Sequence, residues 1–254
     1  MSRIRFYFDH SLAGYFLRRA REKWFTRPPQ RVNHHGVTLQ VDCLPQEMQG
    51  ILLAGRYECA EVALIPGFIT AEDKVLEIGG AIGFLGLYCR KIAGVKEFVS
   101  VEPNPKTIAY LRSNYELNGI KPVLIEAALA AADGPVQLQI SNLFWTDSLV
   151  SKADQSTGQP ITVAGLSFAS LVERAGLQFN TLIIDIEGGE KYIAFSDLPE
   201  AVTKVLIEIH PEIIGMEAYK VLETLIRSGF SVQGHSWNTW SLQREKAFRP
   251  RGQG

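Results

Sequence analysis

The chain has 254 residues, of which 46% are hydrophobic and 21% are charged, and its net charge is −1. This composition predicts an ordinary globular protein with one sizeable core. No apolar run reaches the ~18 residues of a transmembrane helix, which argues against a membrane-spanning protein. The three cysteines, Cys43, Cys59 and Cys89, lack metal-ligand spacing, which argues against a zinc site or a disulfide framework. A soluble protein of the reducing cytoplasm is the resulting expectation.

The first 31 residues form a separate electrostatic region. They hold eight Lys or Arg against Asp9 and Glu22, which gives this arm a charge of +6 and leaves −7 for the rest of the chain. Aromatic residues such as Phe6 and Trp24 interleave with the charges. The pattern suits a peripheral membrane contact through an interfacial helix, or a helix that packs its aromatic face on the domain. The acidic remainder argues against a nucleic-acid partner.

We therefore expect three parts: a basic aromatic N-terminal arm over residues 1–31, one catalytic domain over 32–245, and a C-terminal tail over 246–254. The domain opens with a predicted hairpin over 32–43 and a helical lead-in over 50–66. The predicted strands that follow are 74–79, 97–102, 122–126, 181–186, 203–210, 230–235 and 239–242. The predicted helices are 82–93, 105–118, 167–175 and 217–228.

The alternation of these strands and helices predicts an α/β fold, a doubly wound and mostly parallel sheet with helices on both faces. The last two strands have no helix between them, which predicts an antiparallel edge hairpin. Residues 135–160 interrupt the rhythm and read as a strand followed by a long loop. Long loops in compact domains are often lids or substrate-binding elements.

A glycine-rich turn follows the strand predicted at 74–79. The sequence KVLEIGGAIGFLG places three glycines between that strand and the next helix, where they allow backbone to approach a ligand and the first helical N–H groups to bind a polar group. The three are Gly79, Gly80 and Gly83. Ala81 and Phe84 break every register of the GxGxxG dinucleotide fingerprint, which disfavours an oxidoreductase. What remains is ExGxxxG from Glu77, and Glu102 ends the next predicted strand, where its carboxylate can accept both hydroxyls of a ribose.

The turn resembles motif I of the class I S-adenosylmethionine-dependent methyltransferases. Further motifs extend the similarity: VEPNP at 101–105, LRSNYELNG at 111–119, EAAL at 126–129, LIIDIEGGE at 182–190 and LIEIHPE at 206–212. In this order the chain resembles the FkbM-type methyltransferase family over residues 33–243. One departure is Gly80–Ala81, where the family more often has Ala–Asn, so a side-chain contact from asparagine is missing here.

The resemblance implies a Rossmann-like class I fold, S-adenosylmethionine as methyl donor and transfer to an oxygen. The expected acceptor is a hydroxyl of a small molecule, sugar or other glycan, lipid or polyketide-like compound. Gly79, Gly80 and Gly83 are expected to hold the methionine part of the donor, Glu102 its ribose, and Glu126 and Ala127 its adenine edge. Glu77, Asn104 and Asp185 complete the expected donor-binding set.

Two predicted strands end in titratable residues spaced two apart, and therefore on one face. Asp185 and Glu187 stand at the end of the strand predicted at 181–186, and Glu208 and His210 end the next one. Carboxylates buried there without partners are costly, so we expect them to be paired, solvated or functional.

His210, Asp185 and Glu208 are the expected catalytic residues. His210 is the best base by its ordinary pKa of ~6.5, although a histidine that merely caps the strand fits as well. Asp185 can orient the donor or the acceptor.

Two alternatives stay open. Asp185, Glu187, Glu208 and His210 also supply ligands for a divalent metal, at strand ends like those that carry the carboxylates of catechol O-methyltransferases, and a bound ion lowers the pKa of a substrate hydroxyl without a base. The metal is not the favoured mechanism. A different class altogether is a non-catalytic module that binds the donor, or that binds a partner through its basic arm, without methyl turnover.

Overall fold

The computed structural model describes residues 29–140 and 159–244. The predicted arm up to residue 28, residues 141–158 of the predicted loop and the predicted tail lie outside the described residues. Within the described ranges, no helix has both the length and the apolar character needed to cross a membrane.

The described residues form an α/β fold. Its strands are β1 (Arg31–His34), β2 (Val37–Gln40), β3 (Lys74–Ile78), β4 (Glu97–Val101), β5 (Leu124–Ile125), β6 (Ala128–Leu129), β7 (Gly134–Leu138), β8 (Ile161–Leu166), β9 (Thr181–Ile184), β10 (Lys204–Glu208), β11 (Phe230–Ser236) and β12 (Thr239–Arg244). Its α-helices are α1 (Gln46–Leu53), α2 (Cys59–Leu64), α3 (Phe84–Tyr88), α4 (Pro105–Leu117), α5 (Phe168–Ala175), α6 (Pro211–Ile214) and α7 (Glu217–Arg227). A π-helical turn, Cys89–Ala93, continues α3, and 3₁₀ turns occupy Gly189–Tyr192 and Phe195–Asp197.

Seven strands form the main sheet in the order β11-β12-β10-β9-β3-β4-β5. The strands from β10 to β5 pair in parallel, whereas β12 pairs antiparallel with both β10 and β11. This confirms the predicted doubly wound, mostly parallel sheet with an antiparallel edge hairpin. From β3 the chain builds outward first through β4 and β5, and later through β9 and β10. The reversal at β3 and β9 is a topological switch point, where such sheets leave a crevice for ligands.

The central strands bury both of their faces. Successive side chains alternate between two apolar clusters, so that Val75 lies in the cluster with β2, α1 and α3, whereas Leu76 lies in the cluster with α5 and α7. Phe98 and Val99 of β4 divide in the same way. Layers on both faces explain why these strands read as continuous apolar runs.

The predicted hairpin is present as β1 and β2, and side chains of α4 fix it to the domain. The Oδ1 atom of Asn114 accepts the backbone N–H of Gln40 at 2.9 Å, and the amide of Asn118 donates to the carbonyl of Thr38 at 2.7 Å. Strand β1 begins at Arg31, the last residue of the predicted arm.

Two features differ from the sequence prediction. The lead-in predicted as one helix over 50–66 is two helices, α1 and α2, because the chain turns at Gly55 (φ 67°) and Glu58 (φ 51°). A second sheet of three strands, in the order β6-β8-β7, includes β8, which the sequence analysis does not predict. Its pairing with β7 joins residues on opposite sides of the segment 141–158, a contact that no local pattern reveals.

Candidate active site

A cavity of about 460 Å³ opens at the carboxyl end of the main sheet. One side, the β4 half, is lined by Ala81, Glu102, Pro103, Ala127, Leu129 and Leu138. The other side, the β10 half, is lined by Glu58, Glu61, Glu187, Glu208, Trp237 and Asn238. Asp185, at the end of β9, lies between them. Strands β4 and β10 are three sheet positions apart, or ~14 Å.

Glu102 anchors the β4 half. One carboxylate oxygen accepts the backbone N–H of Ala81 and the other that of Asn104, both at 3.0 Å. The side chain is only 7% exposed, yet it lines the cavity. Carboxylate oxygens have further lone pairs, so Glu102 can still accept hydroxyl groups of a ligand.

The glycines of the turn are required by close packing within the protein. A Cβ on Gly79 would lie 1.8 Å from the backbone oxygen of Asp185, and a Cβ on Gly83 would lie 2.9 Å from the Tyr115 ring. Both residues also have positive φ, 101° and 82°. Gly79 lines the cavity, whereas Gly80 and Gly83 pack against α4 behind it. The glycines therefore allow the turn to pack closely against the Asp185 backbone and against α4, and this packing places Gly79 and Ala81 at the cavity.

Three other residues of the expected donor-binding set do not line the cavity. Glu77 is buried behind the turn, where its Oε2 accepts the Ser100 hydroxyl at 2.6 Å and burial raises its pKa to about 8. Asn104 caps α4 by accepting the N–H of Lys106. Glu126 is exposed and pairs with Arg112. These contacts support the turn and the adjacent helix, while Ala127 and Asp185 line the cavity.

Carboxylates crowd the β10 half. Asp185, Glu187 and Glu208, expected from the sequence, meet Glu58 and Glu61, which α2 brings over the cavity. Burial, followed by repulsion from Glu208, raises the pKa of Asp185 well above its ordinary range. Burial and the charge of Glu61 raise the pKa of Glu208 to about 7.

His210 lies behind these carboxylates and is 5% exposed. Its Nδ1 lies 2.7 Å from Glu190 Oε1, and its Nε2 lies 3.6 Å from both Asp185 Oδ1 and Glu187 Oε1. Burial alone lowers the pKa of the imidazole, but the Glu190 hydrogen bond and the nearby carboxylates outweigh burial and raise the pKa to about 10. The ordinary pKa near 6.5 that was expected for His210 is therefore wrong. The sequence does not show that Glu190 is buried against the imidazole.

The described residues also bring together possible metal ligands. Single ligand atoms of Asp185, Glu208 and His210 lie within 4.8 Å of one another, and the same holds for Glu187, His210 and Glu212. A metal at Nε2 of His210 would leave Nδ1–H for Glu190, the usual outer partner of a ligating histidine. These side chains therefore fit either of two arrangements: a divalent cation bound by neutral His210 and the carboxylates, or a protonated His210 paired with the carboxylates.

Backbone strain concentrates at this cavity. Among the described residues, five non-glycine residues have positive φ, and four of them line the cavity. The four are Glu58, Ala81, Glu187 and Trp237. Such conformations cost about 1–3 kcal/mol each and cluster at functional sites.

Three residues that line the cavity were not predicted as site residues: Glu58, Glu61 and Trp237. The two glutamates lie in a segment whose sequence predicts one continuous helix. Nothing in the local sequence shows that the helix is interrupted there and that both side chains turn toward the cavity. Trp237 lies between two predicted strands. A bulky residue is unusual in such a tight turn, which favours Asn, Asp and Gly, and this is the one feature of the sequence that could have pointed to a special role for Trp237.

Comparison with known proteins found a relative and solved structures that resemble parts of this chain. The ribosomal protein L11 methyltransferase of Thermus thermophilus is 30% identical over 94 residues, so the matched segment spans about a third of each chain, 35% of this one and 36% of the relative. Among solved structures, an FkbM methyltransferase from Methylobacillus flagellatus KT has a TM-score of 0.42 and 13% identity over 69% of this chain and 44% of that one. A methyltransferase from Pyrococcus furiosus has a TM-score of 0.40 and 16% identity over 72% and 79%.

The sequence profile of the methyltransferase FkbM domain matches residues 77–232, more than half of the chain. The match covers both the glycine-rich turn and the carboxylates that follow β9 and β10. It confirms the family predicted from the motifs, and with it the methyltransferase class. The chain belongs to the FkbM methyltransferase family.

Proposed function

We propose that this protein is an S-adenosylmethionine-dependent O-methyltransferase whose acceptor is a hydroxyl of a small molecule, sugar, lipid or polyketide-like compound. The proposal rests on the position of Glu208, a carboxylate at the end of β10 that lines the same cavity as the glycine-rich turn; burial and the charge of Glu61 raise its pKa to about 7. Transfer to a hydroxyl requires removal of its proton, and a base with a pKa near the working pH is the most effective.

The β4 half fits the donor. Ala127, Leu129 and Leu138 offer an apolar surface for an adenine ring, and Glu102 offers acceptors for the two ribose hydroxyls. Asp185 lies further along the cavity; burial raises its pKa, and the positively charged end of a bound donor favours the ionised form of this carboxyl group. When bound, the donor supplies a methyl group on a sulfonium, which needs no further activation. The protein is then left to align the acceptor and to take its proton.

In this proposal Glu208 is the general base and His210 is a positioning residue. With a pKa of about 10, His210 is an imidazolium at neutral pH and has no free lone pair to accept a proton. Its two N–H groups instead face Glu190 on one side and Asp185 with Glu187 on the other. The imidazolium thereby holds these carboxylates in place and stabilises their charged forms.

The metal mechanism remains the alternative for proton removal. It predicts that a chelator abolishes turnover, that Mg²⁺ or Mn²⁺ restores it, and that Asp185→Asn, Glu208→Gln and His210→Ala each weaken metal affinity. The Glu208 mechanism predicts full activity in excess chelator. A non-catalytic donor-binding module predicts donor binding with no turnover under either condition.

The experiment is to incubate the protein with S-adenosylmethionine carrying a ¹³C-labelled methyl group and a metabolite extract of the cells that encode it. Mass spectrometry finds labelled products, and NMR locates the new methyl group. We expect a labelled methyl carbon on oxygen, with a methoxy chemical shift. A product labelled on nitrogen or carbon contradicts O-methylation, and donor binding without any product supports the non-catalytic alternative.

A further inference from the structure

The β10 half contains a largely exposed aromatic side chain. Trp237 lies in the two-residue turn between β11 and β12, is 76% exposed and lines the cavity. Its φ of 54° is in the left-handed region, which bulky residues rarely adopt. This large apolar side chain is therefore available for contact with a molecule bound in the cavity.

The turn is fixed relative to the carboxylates. The backbone N–H of Ile209 donates to the carbonyl of Asn238 at 3.0 Å, and Thr239 pairs with Glu208 across the β10–β12 ladder. The Thr239 hydroxyl also donates to Glu61 Oε1 at 2.6 Å. Trp237, Glu208 and Glu61 are therefore held around one part of the cavity by the same hairpin.

The charge of this half is one-sided. Glu58, Glu61, Glu187 and Glu208 line it, and the single Lys or Arg among the described lining residues is the exposed Arg56. Glu61 is only 4% exposed, so water screens its charge little. The donor carries a net charge of +1, from a sulfonium, an ammonium and a carboxylate. Glu102 in the β4 half and Asp185 at the junction of the halves offset this charge, so the carboxylates of the β10 half stay in excess.

We propose that the β10 half binds a positively charged group of the acceptor, an ammonium or a guanidinium, between Trp237 and the carboxylates of Glu58 and Glu61. A cation over an indole face is attracted by the ring, and carboxylates in a poorly solvated site favour the same occupant. This inference rests on the proposed function, since it specifies the acceptor class for the same cavity. A neutral sugar or lipid hydroxyl with no cationic group is the occupant that the test must reject.

The test uses three phenols of similar shape and different charge: tyramine, 4-ethylphenol and 3-(4-hydroxyphenyl)propionate. Their affinities are measured by calorimetry on the full chain saturated with S-adenosylhomocysteine. We expect tyramine to bind at least tenfold more tightly than 4-ethylphenol, and the propionate to bind most weakly. Equal affinities, or no detectable binding of tyramine at millimolar concentration, overturn the proposal.

Variants locate the effect. Glu61→Gln should reduce the advantage of tyramine over 4-ethylphenol to less than threefold, and the half-buried Glu58→Gln is the second variant in case the first does not fold. Glu97→Gln, an exposed glutamate at the opposite end of β4, should leave the advantage unchanged. Trp237→Ala should weaken both tyramine and 4-ethylphenol, tyramine more. An advantage that survives both glutamine variants overturns the assignment to α2.

The two proposals fail in different ways. If the labelled product from the metabolite extract carries its new methyl on nitrogen, O-methylation is wrong, while preferential tyramine binding still supports the cationic subsite. If the product is an O-methyl compound with no cationic group and tyramine has no advantage, the subsite is wrong and O-methylation stands.

Discussion

The two halves of the cavity are built in different ways. In the β4 half, the one buried carboxylate, Glu102, receives two backbone N–H groups and faces apolar side chains. In the β10 half, several carboxylates face one another, and burial together with repulsion between them raises the pKa values of Glu58 and Glu208. The contrast teaches that a satisfied carboxylate is suited to binding, whereas a crowded one is suited to taking a proton or meeting a cation.

The largest expected effect comes from Glu208→Gln, which keeps the size of the side chain but removes the base. We expect kcat/KM for the acceptor found by labelling to fall by about 10²- to 10⁴-fold. Donor affinity should change less than twofold. Glu217→Gln, an exposed glutamate paired with Lys220 on α7, is the matched control. A loss below threefold would show that Glu208 is not the base.

The pH profile sharpens the same assignment. A carboxylate accepts the proton only when ionised, so kcat/KM of the wild-type protein should rise with pH through about 7 and then level off. His210 with a pKa of about 10 predicts a rise at much higher pH if it were the base instead. Rates measured from pH 5.5 to 10.5 separate the two, and a midpoint near 10 would return the role to His210.

In the β4 half, Glu102→Ala is expected to weaken binding of S-adenosylhomocysteine by tenfold to a hundredfold. The loss of charge-assisted contacts to two hydroxyls is worth about 1.5 to 3 kcal/mol. Glu97→Ala is the control, because it removes the same side chain from the other, exposed end of β4. Equal affinities of the two variants by calorimetry would remove the ribose contact from Glu102.

A smaller effect concerns the junction between the halves. Gly79→Ala places a Cβ against the backbone oxygen of Asp185, in addition to the strain of a positive φ. Gly67→Ala isolates the strain, since Gly67 has φ 81° and nothing within 4 Å of the added Cβ. We expect Gly79→Ala to lower the free energy of unfolding by about 1–3 kcal/mol more than Gly67→Ala does. Equal losses in urea titrations would show that the turn does not need to approach β9.

These cases show how far the sequence leads. The order of strands and helices follows from apolar periodicity, and the positions of Gly79, Glu102, Asp185 and Glu208 follow from where strands end. The sequence cannot reveal that Glu58 and Glu61 line the cavity, because their positions depend on the turn at Gly55 between two helices and on the packing of α2 against β11 and β12. The pKa of His210 could not be predicted for a similar reason, since it depends on Glu190, whose burial follows from tertiary packing.

The smallest expected effect is on stability as a function of pH. The folded pKa of His210 is raised, so its contribution is fully present below the unfolded pKa of ~6.5 and is lost as the pH rises toward about 10. The slope from one group is at most about 1.4 kcal/mol per pH unit. Urea titrations between pH 7.5 and 9 should show this loss in the wild-type protein and a flatter dependence in His210→Gln. Identical slopes would mean that His210 is not held as an imidazolium.

The division between the two halves can be tested by a double-mutant cycle with Glu102→Ala and Glu208→Gln, in which donor affinity and kcat/KM are measured for each variant. Our prediction is that donor affinity falls with Glu102→Ala alone, that turnover at saturating donor falls with Glu208→Gln, and that the free-energy losses in kcat/KM add within about 0.5 kcal/mol in the double variant. A double variant no worse than the more damaged single variant would contradict it, because the two glutamates would then serve one function rather than two.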